Sequence, residues 1–201
     1  MTKRLKATER KASILAVAKV LFADKGYHGV SVDDIANRLG VSPAVLYRHF
    51  SSKEALYEAV LREMSEKRED YVRAALAEPS DFQSILTRMT EVFVEAISRD
   101  PDYLRMELMS ALEGTPAANS FFENRWRSFV DYIEFSLAEL VEAGRVGDVD
   151  PRMASLLFQG MLREALYSKC ILKDKRYRDF TLINLVRQLI PLFMAAIGYK
   201  R

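Results

Sequence analysis

Residues 30–56 read VSVDDIANRLGVSPAVLYRHFSSKEAL, and the spacing within this stretch decides the fold. Ser31 and Asp34 stand nearly at capping-box spacing ahead of Ile35, Ala36 and Leu39, which predicts a short helix. Gly40 ends it, because glycine accepts a positive φ without steric cost. Ser42 then caps a second short helix with Pro43 at its first position, where no amide donor is needed, running to about Phe50. Ala36 is small where two helices must meet, and Gly40 follows four positions later at the turn. Ile35, Leu39, Val41, Leu46 and Phe50 hold the pair at a wide angle. That arrangement leaves the outer face of the second helix free to enter a major groove.

Outward from this stretch the chain reads as helix almost throughout. Upstream, Ile14, Leu15, Ala18, Leu21 and Phe22 make one stripe of 3.6-residue period, with Thr8 able to cap its start and Gly26 its end. Downstream, Ser51 or Ser52 caps a long fourth helix carrying Leu56, Val60, Leu61, Met64, Tyr71, Val72 and Leu76, with Pro79 just beyond. Five further helices are predicted over about 81–99, from Asp100-Pro101 to Gly114, from Thr115-Pro116 to Gly144, from Asp150-Pro151 to about Cys170, and from about Asp179 to Gly198. Pro191 lies inside the last of these and is expected to kink it. Strand signals are essentially absent. The expected fold is all-α with about nine helices: a three-helix helix-turn-helix domain over 1–52 and a helical body over 53–201.

Composition narrows the function. Hydrophobic residues make up 49% of the 201 and charged residues 29%, enough for a sizeable core in a water-soluble chain. Residues 1–54 hold ten Lys or Arg against five Asp or Glu, a net +5, and the remainder nets −3. A basic head on a mildly acidic body is the footprint of a nucleic-acid reader. The single cysteine, Cys170, forbids an intrachain disulfide and fits a reducing cytoplasm. No apolar run is long enough for a membrane span. Two histidines and one cysteine, far apart, argue against a transition-metal site. No nucleophile motif, phosphate loop or carboxylate pair points to catalysis, so no catalytic residue, metal or cofactor is expected.

The head resembles the TetR family of bacterial regulators. The resemblance is carried by Phe22 with Gly26-Tyr27, Val32-Asp33-Asp34-Ile35-Ala36, Gly40-Val41-Ser42, Leu46-Tyr47-Arg48-His49-Phe50 and Ser52-Lys53-Glu54-Ala55-Leu56. Ser42, Pro43, Ala44 and Val45 should face base edges, with Ala44 and Val45 suited to thymine methyl groups. The resemblance implies a phosphate hydrogen bond from Tyr47, an approach to the backbone by His49, and a phosphate contact from Lys53 at a helix start, where the dipole favours anions. Tyr47 can instead pack on the first helix, and His49 and Lys53 can each instead serve a purely structural role. Arg48 reads guanine or holds phosphate. Asp33 and Asp34 suit the helix start and not a phosphate.

In this family the body is a ligand-binding and dimerising domain. The resemblance implies a homodimer formed by the last two long helices, reading a palindromic operator. Leu156, Gly160, Leu166, Leu182, Leu185, Leu189 and Phe193 are either interface or the core of one chain. Tyr103, Met106, Met109, Phe121, Phe122, Trp126, Phe129, Phe158 and Leu162 either line a cavity for a small, mostly apolar effector or form plain core. Asn124, Arg127, Gln159 and Arg163 either orient that effector or pair with acids such as Glu123 and Glu164. The expected function is an operator-binding repressor released by its effector. A constitutive DNA-binding protein, or an activator, is the alternative.

Overall fold

The computed structural model describes residues 7–66 and 81–200, leaving aside the side chains of residues 65, 66, 116, 117 and 119–125. Nine α-helices and no strand occur among the described residues. The N-terminal four are α1 (Ala7–Lys25), α2 (Val32–Leu39), α3 (Pro43–Tyr47) and α4 (Lys53–Glu66). The others are α5 (Phe82–Arg99), α6 (Asp102–Glu113), α7 (Pro116–Glu142), α8 (Pro151–Leu166) and α9 (Leu182–Ala196). All-α was expected, and the boundaries fall within a few residues of those expected. The stretch of α4 expected to carry Tyr71, Val72 and Leu76 lies outside the described residues.

Local chemistry explains most helix ends. Asp34 N–H donates to Ser31 Oγ at 3.0 Å while Ser31 N–H donates to Asp34 Oδ2 at 2.9 Å, the reciprocal capping box anticipated for α2. The short hydrogen bond from Ser31 Oγ helps hold the Asp34 carboxyl below its usual pKa range. Gly40 takes φ +65°, and Gly26 φ +71° after α1. Ser52, not Ser51, caps α4 by accepting from Ala55 N–H at 3.0 Å. Asp81, Asp150 and Thr181 cap α5, α8 and α9.

Two expectations need correction. Thr8 lies inside α1, which already includes Ala7, so it is not the cap. The final helix starts at Leu182 because Thr181, and not Asp179, supplies its capping oxygen. Helical structure after α8 does reach about Cys170, as expected, but its last stretch, Tyr167–Ile171, is π-helical. The last helix runs through Pro191; both Pro191 and Arg187, whose carbonyl loses its donor, are exposed, so water can satisfy that carbonyl.

The chain forms two compact units. The first comprises Met1–Lys67 with Arg105–Phe122, so the unit holding the helix-turn-helix extends beyond residues 1–52 and takes in most of α6. Its core is built from Ile14, Ala18 and Phe22 of α1, Ile35 and Ala36 of α2, Leu46 of α3, and Leu56, Tyr57 and Val60 of α4. The i, i+4, i+8 spacing on α1 turns one stripe inward, against α2 and α4. The second unit comprises Arg68–Leu104 with Glu123–Arg201. In it α9 packs on both α5 and α8. Its core runs through Leu86, Met89, Phe93, Phe129, Ile133, Phe158, Val186 and Phe193.

Candidate nucleic-acid interface and effector core

The α3 segment is held from behind and open in front. Leu46 is buried and its carbonyl accepts from both His49 N–H and Phe50 N–H at 2.9 Å. Phe50 closes the far side, with Lys11 Nζ 5.7 Å from its ring centre. These two anchors turn the remaining positions outward. Ser42, Ala44, Tyr47 and Arg48 are exposed, while Pro43, Val45 and His49 are half-buried. Tyr47 is 55% exposed, so its ring does not make the core contact with α1 that was the alternative reading. Ser42 occupies the N-cap but its side chain makes no cap hydrogen bond. The exposed Ser42 hydroxyl is therefore not committed to the α3 cap.

Lys53 is placed differently. Its ammonium donates to the carbonyls of Tyr27 and Val30 at 2.9 and 3.0 Å. It also lies 4.1 Å from the centre of the Tyr27 ring. Two of its three donors thus serve the connection between α1 and α2. Phe22, Tyr27 and Tyr57 stack around that connection, with ring centres 4.9 to 6.2 Å apart. Burial, and then the Glu113 charge, push the Tyr57 phenol up to about 12. Burial and then Glu54 raise that of Tyr27. Glu113 itself was not foreseen: it accepts from Tyr27 N–H at 2.7 Å and His28 N–H at 3.1 Å. A glutamate at a helix end carries no signal of such a contact in the sequence.

The residues expected to meet an effector fall in both units. Tyr103, Trp126, Phe129, Phe158 and Leu162 are buried in the second unit. Met106 is buried and Met109 half-buried in the first. The side chains of Phe121, Phe122 and Asn124 lie outside the described residues. In the second unit the rings form a chain. Phe93–Trp126, Phe93–Phe129, Phe129–Phe158 and Phe158–Phe193 have centres 5.3, 5.4, 5.8 and 5.3 Å apart. The Arg163 guanidinium sits 5.0 Å from the Trp126 ring centre. Its neighbour Glu164 accepts from Ser168 Oγ. Gln159 is turned onto Ser155, and Arg127 is exposed.

Of the apolar residues expected on the last two long helices, Leu166, Leu182, Leu185 and Phe193 belong to the core of one chain. Leu156 is exposed and Leu189 half-buried. Together with Leu156, Met153 and Leu157 leave α8 an outward apolar stripe, continued by exposed Gly160. A Cβ at Gly160 would meet nothing within 4 Å. Leu192 on α9 is likewise exposed. Among the described residues no group of three His, Cys, Asp or Glu side chains could hold a metal ion, and no helix is long and apolar enough to cross a membrane.

Comparison with known proteins agrees with this geometry. Residues 14–60 match the family model for bacterial regulatory proteins of the tetR family. The chain is 41% identical over 103 residues to the transcriptional activator FasR of Mycolicibacterium smegmatis, across 51% of this chain and 47% of FasR, so it spans about half of that relative. It is 31% identical over 145 residues to the transcriptional regulator RutR of Escherichia coli O157:H7, across 71% of this chain and 67% of RutR. AibR, in its complex with isovaleryl coenzyme A and operator DNA, superposes with a TM-score of 0.69 at 22% identity, covering 91% of this chain and 97% of AibR. The chain belongs to the TetR family and is a DNA-binding transcriptional regulator, not an enzyme.

Proposed function

We propose that the chain works in the cytoplasm as a homodimeric repressor that reads a palindromic operator and is released by a small, mostly apolar effector. The observation that carries the DNA-reading part is the outward face of α3: Ser42, Ala44, Tyr47 and Arg48 are exposed while Leu46 and Phe50 are buried behind them. Ser42, Pro43, Ala44 and Val45 meet base edges, and Ala44 and Val45 select thymine methyl groups. Tyr47 and His49 hold phosphates, and Arg48 takes guanine or phosphate. At the start of α4 the first-turn amides supply a phosphate site, with Lys53 contributing its remaining donor.

Two copies pair through the exposed stripe of α8 and the outer face of α9, placing two heads about one helical turn apart, roughly 34–36 Å. The effector enters the aromatic core of the second unit around Trp126, Phe129 and Phe158, with Tyr103 and Leu162 of the same buried core. It shifts the population toward a head spacing that does not fit the operator, and only by its differential affinity for the two states. The isovaleryl coenzyme A bound by AibR supports an effector with an acyl chain. The description of FasR as an activator favours a second reading, in which operator occupancy raises transcription.

Selection of random duplexes on the purified protein, followed by anisotropy titration, tests the reading. Enrichment of one palindrome supports it, and no enrichment refutes it. A reporter carrying that palindrome separates repression from activation. Adding isovaleryl coenzyme A or a longer acyl-coenzyme A should raise the melting temperature and lower operator affinity. An unchanged melting temperature across an acyl series would reject that effector class.

A further inference from the structure

The connection between α1 and α2, residues 26–31, joins the helix-turn-helix pair to the first helix of its unit. Its peptide groups are gripped from two sides. Lys53 takes the carbonyls of Tyr27 and Val30 from the start of α4. Glu113 takes the amides of Tyr27 and His28 from the end of α6, 86 and 85 residues away in sequence. The carboxylate spans two consecutive N–H groups, a bidentate geometry in which charge strengthens both hydrogen bonds. Gly26 clears the space for it. A Cβ at Gly26 would run into the Glu113 carboxylate and come within 2.9 Å of Met109 Cε. Gly26 therefore answers two demands at once, a positive φ and a carboxylate seated against its α-carbon. A second tie joins the same helices, since Arg105 of α6 pairs with Asp24 of α1 at 3.3 Å. Both partners are well exposed, so that tie is weak beside the two charge-assisted bonds of Glu113.

We infer that Glu113 is a positioning residue for operator recognition: by seating residues 27 and 28 it fixes the pose of α2 and α3 without touching DNA. This rests on the DNA-binding reading above. It adds a requirement that the helix-turn-helix motif does not contain, because the seat comes from α6. That helix starts in the second compact unit and enters the first at Arg105. Loss of the seat lets the reading helix sample other angles. Sequence-specific contacts need a fixed pose, whereas non-specific binding needs only positive charge near phosphates. Glu113 should therefore act on the ratio between the two.

The test uses the full-length protein with E113A and E113Q. Amide hydrogen exchange at Tyr27 and His28 is measured without DNA. Affinity is then measured for the duplex selected on wild type and for a scrambled duplex, across a salt series. E113A should speed exchange at both amides about tenfold or more. It should weaken the selected duplex about tenfold, leave the scrambled duplex no weaker, and leave the salt slope unchanged. E113Q keeps one acceptor oxygen and should fall between; it carries the test alone if E113A does not fold. Unchanged exchange at the two amides overturns the inference, as does faster exchange with full affinity for the selected duplex. Equal weakening of both duplexes also overturns it, since that reports general loss of structure. A wild-type protein that prefers no duplex over a scrambled one sinks the DNA-binding reading itself, before any variant is made.

Discussion

Replacing Leu156 by glutamate should dissolve the dimer proposed here, and the exposed surface says by how much. Met153, Leu156 and Leu157 on α8 and Leu192 on α9 are 59, 62, 45 and 62% exposed in the single chain. Each leaves on the order of 100 Å² in water, so the four leave roughly 400 Å² per protomer. That is about half of the ~800 Å² each partner contributes to a standard interface, with polar neighbours supplying the rim. Across a two-fold axis each substitution counts twice. Forfeiting about 100 Å² of apolar burial on each side costs about 5 kcal/mol at ~25 cal/mol/Å². The two new carboxylates add desolvation and mutual repulsion. The dissociation constant should rise at least a thousandfold, by about 1.4 kcal/mol per decade. Sedimentation velocity over a nanomolar-to-micromolar dilution series reads this directly. Operator affinity should fall with it, because a lone head holds one half-site. Leu112→Glu, at a 77% exposed position on α6, is the control and should leave the assembly unchanged. A Leu156→Glu protein that stays dimeric, or a wild type that is monomeric at micromolar concentration, refutes the reasoning.

Other outcomes are equally definite. Lys53→Met removes two charged hydrogen bonds and a cation–π contact, and should cost about 2–3 kcal/mol in denaturant unfolding and make the salt slope of operator binding shallower by about one ion. A lower stability with an unchanged slope would confine the ammonium to the connection between α1 and α2 and remove its phosphate role. Tyr47→Phe should weaken every duplex about three- to tenfold and leave unfolding unchanged, since the ring is already exposed; equal affinity for Tyr47→Phe and wild type would remove its phosphate role. The Tyr57 phenol, at about 12 in the folded chain against an ordinary 10.0, keeps its proton longer folded than unfolded. That stability is complete below pH 10 and is lost as pH rises toward 12, on the order of 3 kcal/mol in all. Denaturant melts on either side of this window should show the loss in wild type and a smaller one in Tyr57→Phe.

The parts of the fold that were legible are those in which cause and effect lie within a few residues. A capping box, a glycine at positive φ and a proline at the first helical position act over one turn, so Ser31, Gly40 and Pro43 announce α2 and α3 directly. The apolar stripe of α1 is also a local signal, and it located Ile14, Ala18 and Phe22 in the core. What the sequence could not display is which distant group a side chain meets. Lys53 looks like a surface lysine at a helix start, yet its ammonium is bonded to two backbone carbonyls more than 20 residues away. Leu156 and Leu166 look alike in a periodic pattern, but one faces solvent and the other the core, because a helix packed on its neighbours leaves one side over.

The aromatic chain in the second unit bears on what an effector must do. Rings whose centres lie 5.3 to 5.8 Å apart from Phe93 through Phe129 and Phe158 to Phe193 are already in van der Waals contact, and no molecule fits between them. A ligand that enters there has to part at least one pair and replace the contacts it breaks. Its apparent affinity is reduced by the fraction of time the rings are apart, and that same cost couples binding to a change of shape. An apolar chain can repay the lost ring contacts, whereas a small polar molecule cannot. An anionic group on that chain would also find the Arg163 guanidinium on the Trp126 face. Phe129→Leu should therefore tighten binding of a short acyl-coenzyme A by opening the space in advance, while lowering the stability of the free protein by about 1 kcal/mol or more. Calorimetric titration beside thermal melts checks both halves. Weaker binding by Phe129→Leu would show that the ligand uses the ring as a wall and does not displace it.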